Sequence, residues 1–229
     1  MSNLIPNNQS SIVAIILSGG AGRRFGGLDK GLQNYKNKPL IEHVIDALQG
    51  QVNSFILCVN RNQESYLKYG CALVEDIEHR AARVEGASHD GVSFEGASFN
   101  GASFNGPMAG VNAAADFIEN SGLGETASHV LLCSCDSPAL PENYVSRLLE
   151  QLSGSGKSVA VVNDGERRQN LHSLIKIAAL PSLAKYYSAG GRAMHRWYQE
   201  IGVVDVDFSD RPEAFLNINS PEQLKQRIT

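Results

Sequence analysis

The sequence predicts an α/β fold in which a mostly parallel sheet carries helices on both of its faces. Strand-like and helix-like patterns alternate along the first half of the chain, as they do in βαβ units. Several strand-like segments are continuous apolar runs, which are typical of strands buried on both faces. A length of 229 residues is ordinary for one domain of this class, so we expect a single domain over residues 1–229.

The predicted strands are short runs rich in β-branched and apolar residues, beginning with the sequence SIVAIIL. They are Ser11–Leu17, Ser54–Val59, Cys71–Val74, His129–Cys135, Ser158–Asn163, Leu171–Ile177 and Val203–Phe208. The predicted helices repeat apolar residues every three or four positions, and several begin at a proline or after a capping serine. They are Pro39–Gln49, Gln63–Tyr69, Gly110–Asn120, Pro141–Leu152, Leu180–Tyr187, Arg192–Glu200 and Pro221–Ile228.

Composition and charge exclude several classes of protein. With 42% hydrophobic and 19% charged residues the chain can form a core, so wholesale disorder is excluded. A net charge of −4 argues against a broadly basic nucleic-acid-binding surface, but not against a local basic pocket. No apolar run approaches the roughly 20 residues of a membrane span, and the N-terminus lacks the pattern of a secretory signal. Four cysteines in a chain of this length predict reduced thiols in the cytoplasm. From the net charge and the short apolar runs we expect neither nucleic acid nor a membrane as a partner.

A repeat with a period of five residues interrupts the alternation of strands and helices. Its glycines stand at positions 86, 91, 96, 101 and 106. A single coil of pentads has no neighbouring coil to pack against, whereas repeat folds need several stacked units. We therefore interpret residues 86–106 as a low-complexity insertion that forms a flexible loop. A lid or a partner-binding loop is the alternative.

The loop from Ser18 to Gly31 has the composition of a phosphate-binding loop. It holds six glycines and the cations Arg23, Arg24 and Lys30 directly after a buried strand. The backbone N–H groups of such a loop can surround phosphate oxygens, and the cations balance their charge. Its spacing fits neither the dinucleotide fingerprint nor the Walker A motif. A solvated glycine turn is the alternative, and it accounts less well for this density of glycines and cations.

Four polar side chains stand at predicted strand ends or in an extended segment. Asp136 follows a strand and precedes Ser137, so it is either a magnesium ligand shared with phosphates or a turn cap. Asp76 is equally ambiguous, and it could also accept hydrogen bonds from a base or ribose. Asn217 and Asn219 lie on one side of an extended stretch, where their amides could read a polar heterocycle or cap the last helix. Because parallel strands end at one edge of a sheet, we expect the glycine-rich loop and both aspartates to converge there.

The cysteines and histidines show no spacing that indicates a metal site. Cys133 and Cys135 alternate within a buried strand, so we expect both to be small core residues. His172 and His195 have no visible aspartate or serine partner, and a surface or core role is the default. The turn that begins at Gly106 either approaches a ligand or starts a helix with its proline.

Ten segments of the sequence together resemble the molybdenum cofactor guanylyltransferases, a bacterial family that attaches GMP to molybdopterin. They follow one another in order along nearly the whole chain, apart from the insertion and the N-terminal tail. The Asp-Lys-Gly-Leu run and the Asn-x-Asn-x-Pro ending favour the guanylyl branch of the nucleotidyltransferases. The segments are 17–20, 24–32, 38–40, 60–61, 75–76, 106–110, 135–138, 164–167, 206–210 and 215–224.

This resemblance implies a fold and a set of residue roles. The fold is a Rossmann-like three-layer sandwich of the nucleotide-diphospho-sugar transferase type. The residues implied to bind GTP are Leu17, Ser18, Gly19, Lys30, Asp76 and Asp136. Asp136 would also hold Mg²⁺, Arg24 and Lys30 would join it in catalysis, and Asn217 and Asn219 would lie toward the pterin acceptor. Cys58 stands where the family often has an asparagine that contacts the nucleotide, and a thiol is a weak substitute for an amide.

The resemblance also implies the reaction and its partners. A phosphate of molybdopterin would attack the α-phosphorus of GTP and displace pyrophosphate, without a general base because the phosphate is already ionised. GTP and molybdopterin are the expected substrates, and molybdenum-insertion and molybdoenzyme-chaperone proteins the expected partners. A sister nucleotidyltransferase that uses CTP or a sugar-phosphate acceptor is one alternative. A non-catalytic nucleotide-binding protein and an interaction protein that uses the insertion are the others.

Overall fold

The computed structural model describes residues 11–18, 25–76 and 106–226 of the chain. The strands are β1 (Ile12–Leu17), β2 (Asn34–Tyr35), β3 (Lys38–Pro39), β4 (Ser54–Cys58), β5 (Ala72–Val74), β6 (His129–Ser134), β7 (Val159–Asn163), β8 (Arg168–Lys176) and β9 (Val203–Asp207). The α-helices are α1 (Leu40–Leu48), α2 (Gln63–Tyr66), α3 (Pro107–Asn120), α4 (Leu123–Thr126), α5 (Tyr144–Ser155), α6 (Leu180–Ser188), α7 (Met194–Ile201) and α8 (Pro221–Gln226). Short 3₁₀ turns cover Leu67–Tyr69, Ile177–Ala179 and Pro212–Phe215.

Seven of the described strands form one sheet in the order β5-β4-β1-β6-β8-β7-β9. β1 lies parallel to both β4 and β6, β4 is parallel to β5, and β7 is parallel to β9. β8 is antiparallel to its neighbours β6 and β7, so it is the one reversed strand of this sheet. The carboxyl ends of the other six strands and the amino end of β8 therefore meet at one edge.

Alternate residues of β1 face two separate apolar cores. Ile12, Ala14 and Ile16 belong to the core beneath α1 and α5, whereas Val13 and Ile15 belong to the core beneath α3, α6 and α7. Because successive side chains of a strand point to opposite faces, a strand buried on both faces must be apolar throughout. The sheet is the middle of three layers, as the sequence predicted.

The observed elements differ from the predicted ones mainly at their ends. β8 begins at Arg168 rather than at Leu171, because three polar residues extend it beyond a bulge in its pairing with β7. α3 begins at Pro107 rather than Gly110, and its proline occupies the first helical turn as expected of a helix start. A β2–β3 hairpin with a two-residue turn was not predicted. The apolar pattern carries no signal for such polar strand residues.

Some predictions fall on residues that the structure does not describe. Gly19 and Arg24 lie outside the described residues, as do residues 86–105 of the pentad insertion. The role of the insertion and the single-domain organisation therefore stay predictions. Across residues 11–18, 25–76 and 106–226, no helix has the length and apolar character that crossing a membrane requires.

Candidate active site

Three side chains from distant parts of the chain meet at the carboxyl edge of the sheet. Lys30 Nζ forms an ion pair with Asp136 Oδ2 and donates a hydrogen bond of 2.9 Å to Asn219 Oδ1. Lys30 belongs to the glycine-rich loop, Asp136 follows β6, and Asn219 precedes α8. The side chains of Lys30 and Asp136 are 19% and 10% exposed, so the pair is largely but not wholly buried. The structure thus brings together the predicted phosphate-binding lysine and the predicted metal-binding aspartate.

Asp136 is held rigidly by its surroundings. Ser134 Oγ donates to Asp136 Oδ1 at 2.6 Å, and the Ile218 amide donates to the Asp136 carbonyl at 3.0 Å. Among the described residues the carboxylate contacts Lys30 and Ser134 rather than a backbone amide, so it does not act as the turn cap that was the alternative. Because Asp136 follows the buried strand β6, its negatively charged carboxylate lies at the carboxyl edge of the sheet.

A buried network supports the loop segment that carries Lys30. Tyr66 Oη donates to Asp29 Oδ1 at 2.8 Å, and the Gly31 amide donates to the same oxygen at 3.1 Å. Since the single hydroxyl hydrogen of Tyr66 is used on Asp29, Ser18 Oγ must be the donor in its 2.8 Å contact with Tyr66 Oη. Burial raises the pKa of Tyr66 far above its ordinary value, which keeps this hydroxyl a donor. Lys30 is therefore flanked by two residues whose positions are fixed.

The backbone of Leu17 and Ser18 is partly used within the sheet. The Ser18 amide donates to the Cys58 carbonyl at 2.9 Å, and the Leu17 carbonyl accepts from the Cys135 amide at 3.1 Å. A nucleotide can use the Ser18 N–H group only if that bond to β4 breaks. The carbonyl oxygens, each with two lone pairs, retain acceptor capacity.

Asp76 lies farther along the same edge, after the outermost strand β5. Asn60 holds it from two sides, since Asn60 Nδ2 donates to Asp76 Oδ2 at 2.6 Å and the Asp76 amide donates to Asn60 Oδ1 at 3.1 Å. Three strand spacings separate β5 from β6, which corresponds to about 14 Å. Asp76 is thus not a member of the Lys30 cluster, but it lies on the same row of strand ends.

The thiol of Cys58 is turned toward a neighbouring helix. Its Sγ donates to the Gly110 carbonyl at 3.3 Å, and burial raises the pKa of the thiol to about 12. A Cβ atom at Gly110 would lie 3.3 Å from Leu17 Cδ2, so this glycine lets α3 pack closely on β1 and β4. Cys133 and Cys135 are buried core residues, as predicted.

A cavity of about 650 Å³ adjoins the ion pair. Ser134, whose hydroxyl binds Asp136, forms part of its wall, together with Asn217 and the two arginines Arg167 and Arg168. Asp205 neutralises Arg168 through two hydrogen bonds of 2.6 and 2.8 Å. Within the described residues, no ion pair is found for the exposed Arg167. The cavity therefore combines amide and hydroxyl groups with a positive charge at its wall.

His172 is a buried residue of this wall and has partners that the sequence did not reveal. Its Nε2 lies 3.1 Å from Ser137 Oγ, and its Nδ1 lies 3.3 Å from Tyr144 Oη. Burial lowers the pKa of His172 to about 4, so its ring is neutral at physiological pH. Ser137 Oγ also donates to Asn217 Oδ1 at 3.1 Å. The side-chain oxygens of Asn217 and Asn219 thus contact other side chains, and in the described part of the chain the hydroxyl of Ser220 accepts from the Gln223 amide at the start of the last helix.

The low pKa of His172 should make stability depend on pH. The pKa is about 4 in the folded protein against 6.5 for an unperturbed histidine, so the unfolded chain binds the proton first as the pH falls. The stability that comes from keeping His172 neutral is fully present above the unfolded pKa. It is lost as the pH falls through the folded pKa, and the free energy of unfolding then decreases by up to about 3 kcal/mol. Urea unfolding at about pH 7.5 and about pH 4.5 measures this loss.

The matched variant for this measurement is His172→Phe. We expect the wild type to lose more free energy of unfolding than the variant over the same pH interval. The pKa of His129 is also lowered, but His129 is present in both proteins and its effect cancels. Equal losses in the two proteins would contradict the assignment of a neutral, buried His172.

The donor set at Asp136 fits only one kind of metal site. In the described part of the chain, no three residues among histidine, cysteine, aspartate and glutamate come together as metal ligands. Asp136 provides one carboxylate, and Mg²⁺ in proteins is commonly bound by one or two carboxylates together with phosphate oxygens of a substrate. The residues therefore fit a magnesium ion shared with bound phosphates and do not fit an ion held by protein groups alone.

The sequence is similar to a family model and to named proteins. A model described as the MobA-like NTP transferase domain matches residues 14–203. The chain is 33% identical to a molybdenum cofactor guanylyltransferase of Shewanella halifaxensis, over 95% of this chain and 94% of that protein. It is 35% identical to a protein of the same name from Shewanella sp. strain MR-4, again over 95% and 94%.

Solved structures share the fold at lower sequence identity. Molybdopterin-guanine dinucleotide biosynthesis protein A from Archaeoglobus fulgidus superposes with a TM-score of 0.65 at 18% identity, over 93% of this chain and 95% of that one. A 4-diphosphocytidyl-2C-methyl-D-erythritol synthase superposes with a TM-score of 0.60 at 12% identity, over 96% and 97%. At these identities the likeness shows the fold alone.

Proposed function

Because the chain belongs to the family of MobA-like NTP transferases, we propose that it transfers GMP from GTP to molybdopterin. Pyrophosphate is released, and the product is molybdopterin guanine dinucleotide. The observation that carries this proposal is the contact of Lys30 with Asp136 and Asn219 at the carboxyl edge of the sheet. Relatives that share 33–35% identity over nearly the whole chain bear the name of this activity.

GTP lies along the row of strand ends in this proposal. Its phosphates contact Lys30, while Asp76 binds the nucleotide at the outer end of the row, about three strand spacings from β6. Leu17, at the end of β1, and Ser18, which follows it, lie between these two positions, and we assign Gly19 a contact with the nucleotide as well. We assign the 650 Å³ cavity to the acceptor, because Asn217 belongs to its wall. Asn217 and Asn219 then lie on the acceptor side of the site.

The chain's own groups provide positioning and charge balance. An oxygen of the acceptor phosphate forms a bond to the α-phosphorus, and the bond from that phosphorus to the leaving oxygen breaks with its electron pair. Lys30 neutralises the charge that grows on the departing pyrophosphate, and we assign Arg24 the same role. The attacking phosphate is ionised at neutral pH, so no general base is required. The neutral His172 is consistent with a reaction that does not use one.

Asp136 is the residue that would hold Mg²⁺ together with the phosphates, with Ser134 fixing its carboxylate. When bound, the ion screens the negative charges of two phosphate groups that must approach each other. Lys30, which is ion-paired with Asp136, holds a positive charge at the same place before any ligand binds.

Molybdenum-insertion and molybdoenzyme-chaperone proteins in the cytoplasm are the partner proteins in this proposal. The four free cysteines, Cys58, Cys71, Cys133 and Cys135, support a reducing compartment.

Pyrophosphate release tests the proposed activity. Purified protein with GTP and Mg²⁺ should release pyrophosphate only when metal-loaded molybdopterin is added, and chelation of the metal should stop the reaction. Parallel reactions with CTP and ATP serve as the matched controls and should proceed far more slowly. A higher rate with CTP than with GTP would assign the chain to a sister activity, and no release with any nucleotide would contradict catalysis.

A further inference from the structure

Four polar side chains form a continuous hydrogen-bonded chain beneath the 650 Å³ cavity. The chain begins at Tyr144, passes through His172 and Ser137, and ends at Asn217, with contacts of 3.3, 3.1 and 3.1 Å. Tyr144, His172 and Ser137 are at most 2% exposed. Asn217 is half-buried and contributes to the cavity wall. A connected series of this kind links a buried phenol to a group that a ligand can touch.

The direction of these hydrogen bonds follows from the donors available. A neutral histidine has one N–H, and a serine hydroxyl has one hydrogen, so the series must run in a single direction. The Tyr144 hydroxyl is fully buried, and within the described residues its partner is His172. If His172 donated to Tyr144, the hydroxyl hydrogen of Tyr144 would be buried without an acceptor, which is costly. Tyr144 therefore donates to His172 Nδ1, His172 Nε2 donates to Ser137, and Ser137 donates to Asn217 Oδ1.

This direction fixes the orientation of the Asn217 amide. Its oxygen is held by Ser137, so its nitrogen is the end left for the cavity. Asn219 has the same polarity, because its partner Lys30 has only hydrogen-bond donors and must contact the amide oxygen. In both asparagines the amide oxygen thus accepts a hydrogen bond from another side chain of the protein, and the amide N–H groups are left to bind a ligand.

Donors beside cations are complementary to an anion. Lys30 contacts Asn219, and Arg167 shares the cavity wall with Asn217. A phosphate group has several acceptor oxygens and negative charge, which matches this set of N–H groups better than a heterocycle that needs both donors and acceptors. The guanylyl group of GTP must also meet the acceptor phosphate near Lys30. Asn219 lies at that place, because its amide oxygen contacts Lys30.

We propose that Tyr144, His172 and Ser137 are positioning residues that hold Asn217 with its amide nitrogen toward the cavity, where Asn217 and Asn219 bind the phosphate of the acceptor substrate. This inference rests on the proposed function for the identity of the acceptor. It adds three residues that do not touch the reacting atoms, and it assigns the two asparagines to the phosphate rather than to the pterin ring.

The tautomer of His172 tests the direction without any substrate. Long-range ¹H–¹⁵N NMR of the full-length protein distinguishes a ring protonated on Nε2 from one protonated on Nδ1, and His172→Gln assigns the signal among the six histidines. We expect the proton on Nε2 in the wild type. A proton on Nδ1 would reverse the whole series and overturn the proposal, whether or not the protein is an active guanylyltransferase.

Steady-state kinetics test the consequence for substrate binding. Tyr144→Phe should raise KM for molybdopterin about tenfold while leaving KM for GTP unchanged. Tyr186→Phe is the matched control, because it removes a tyrosine hydroxyl that donates to the Ala193 carbonyl at 3.4 Å, and Tyr186 packs against the core on the other face of the sheet. An equal rise of both KM values in Tyr144→Phe, or the same rise in Tyr186→Phe, would contradict a positioning role.

A second variant keeps the proposal testable if Tyr144→Phe does not fold. Asn217→Asp retains the oxygen that accepts from Ser137 and replaces the amide nitrogen by a second oxygen. If the nitrogen faces the acceptor phosphate, this change places a negative charge against it and should raise KM for molybdopterin at least tenfold, again with KM for GTP unchanged. An unchanged KM for molybdopterin would overturn the proposal. Wild-type protein that makes no product would instead count against the proposed function.

Discussion

Replacing Asp136 by asparagine should lower kcat for guanylyl transfer by about 100- to 1000-fold. The variant keeps the size of the side chain but removes the negative charge that pairs with Lys30 and that would hold Mg²⁺. The backbone bond from Ile218 to the Asp136 carbonyl remains, so the fold should survive. Steady-state rates of pyrophosphate release, together with a circular dichroism spectrum, measure both expectations.

Asp46→Asn is the matched control for this prediction. Asp46 also forms an ion pair with a lysine, Lys38, but that pair lies on the surface, and the Asp46 side chain is 56% exposed. Exposed ion pairs contribute little to stability, so activity and folding should both stay near the wild-type values. Near-normal turnover in Asp136→Asn would show that the Lys30–Asp136 pair is not the catalytic centre.

Replacing Gly31 by alanine should damage both stability and activity. A Cβ atom there would lie 2.1 Å from Ser18 Oγ and 2.5 Å from Tyr66 Oη, so the buried network that supports Lys30 must shift. We expect the free energy of unfolding to fall by about 2–3 kcal/mol, as for an overpacked interior. Displacement of Lys30 by about 1 Å should lower kcat roughly 100-fold.

Gly154→Ala is the control for the glycine substitution. Gly154 lies within α5 and has no positive φ, and among the described residues no atom beyond its chain neighbours and the nearby helix backbone lies within 4 Å of an added Cβ. Alanine should therefore raise the free energy of unfolding by about 0.5–1 kcal/mol. Urea unfolding and kcat measured on both variants separate the local clash from a general effect of removing glycine. A Gly31→Ala protein as stable and active as wild type would contradict the described packing of this loop.

The parts of the site that could be predicted from sequence are those with local signals. Lys30 stands in a glycine-rich loop after an apolar strand, and Asp136 follows a second strand of the same type. Parallel strands that end at one edge then bring both residues together, although 106 positions separate them. Their convergence at that edge was predicted from the pattern of strands, whereas the direct ion pair between them was not.

The supporting contacts could not be predicted, because they depend on how distant segments pack. Tyr66 reaches Asp29 from 37 positions away, and His172 reaches Ser137 from 35 positions away. In the sequence, Tyr66 lies in the predicted helix Gln63–Tyr69 and His172 in the predicted strand Leu171–Ile177, and neither position carries a local signal of a functional partner. Asp29 and Ser137 are the members of these pairs that lay in recognised segments, 24–32 and 135–138, and the contact of Ser137 with Asn217 joins two such segments.

The structure of the protein with a non-hydrolysable GTP analogue and Mg²⁺ tests the central claim most directly. We predict that the phosphates lie within hydrogen-bonding distance of Lys30, with the metal ion on Asp136 and the nucleoside extending toward Asp76. A nucleotide bound away from the carboxyl edge of the sheet, for example in the 340 Å³ cavity between α3 and α6, would contradict the account.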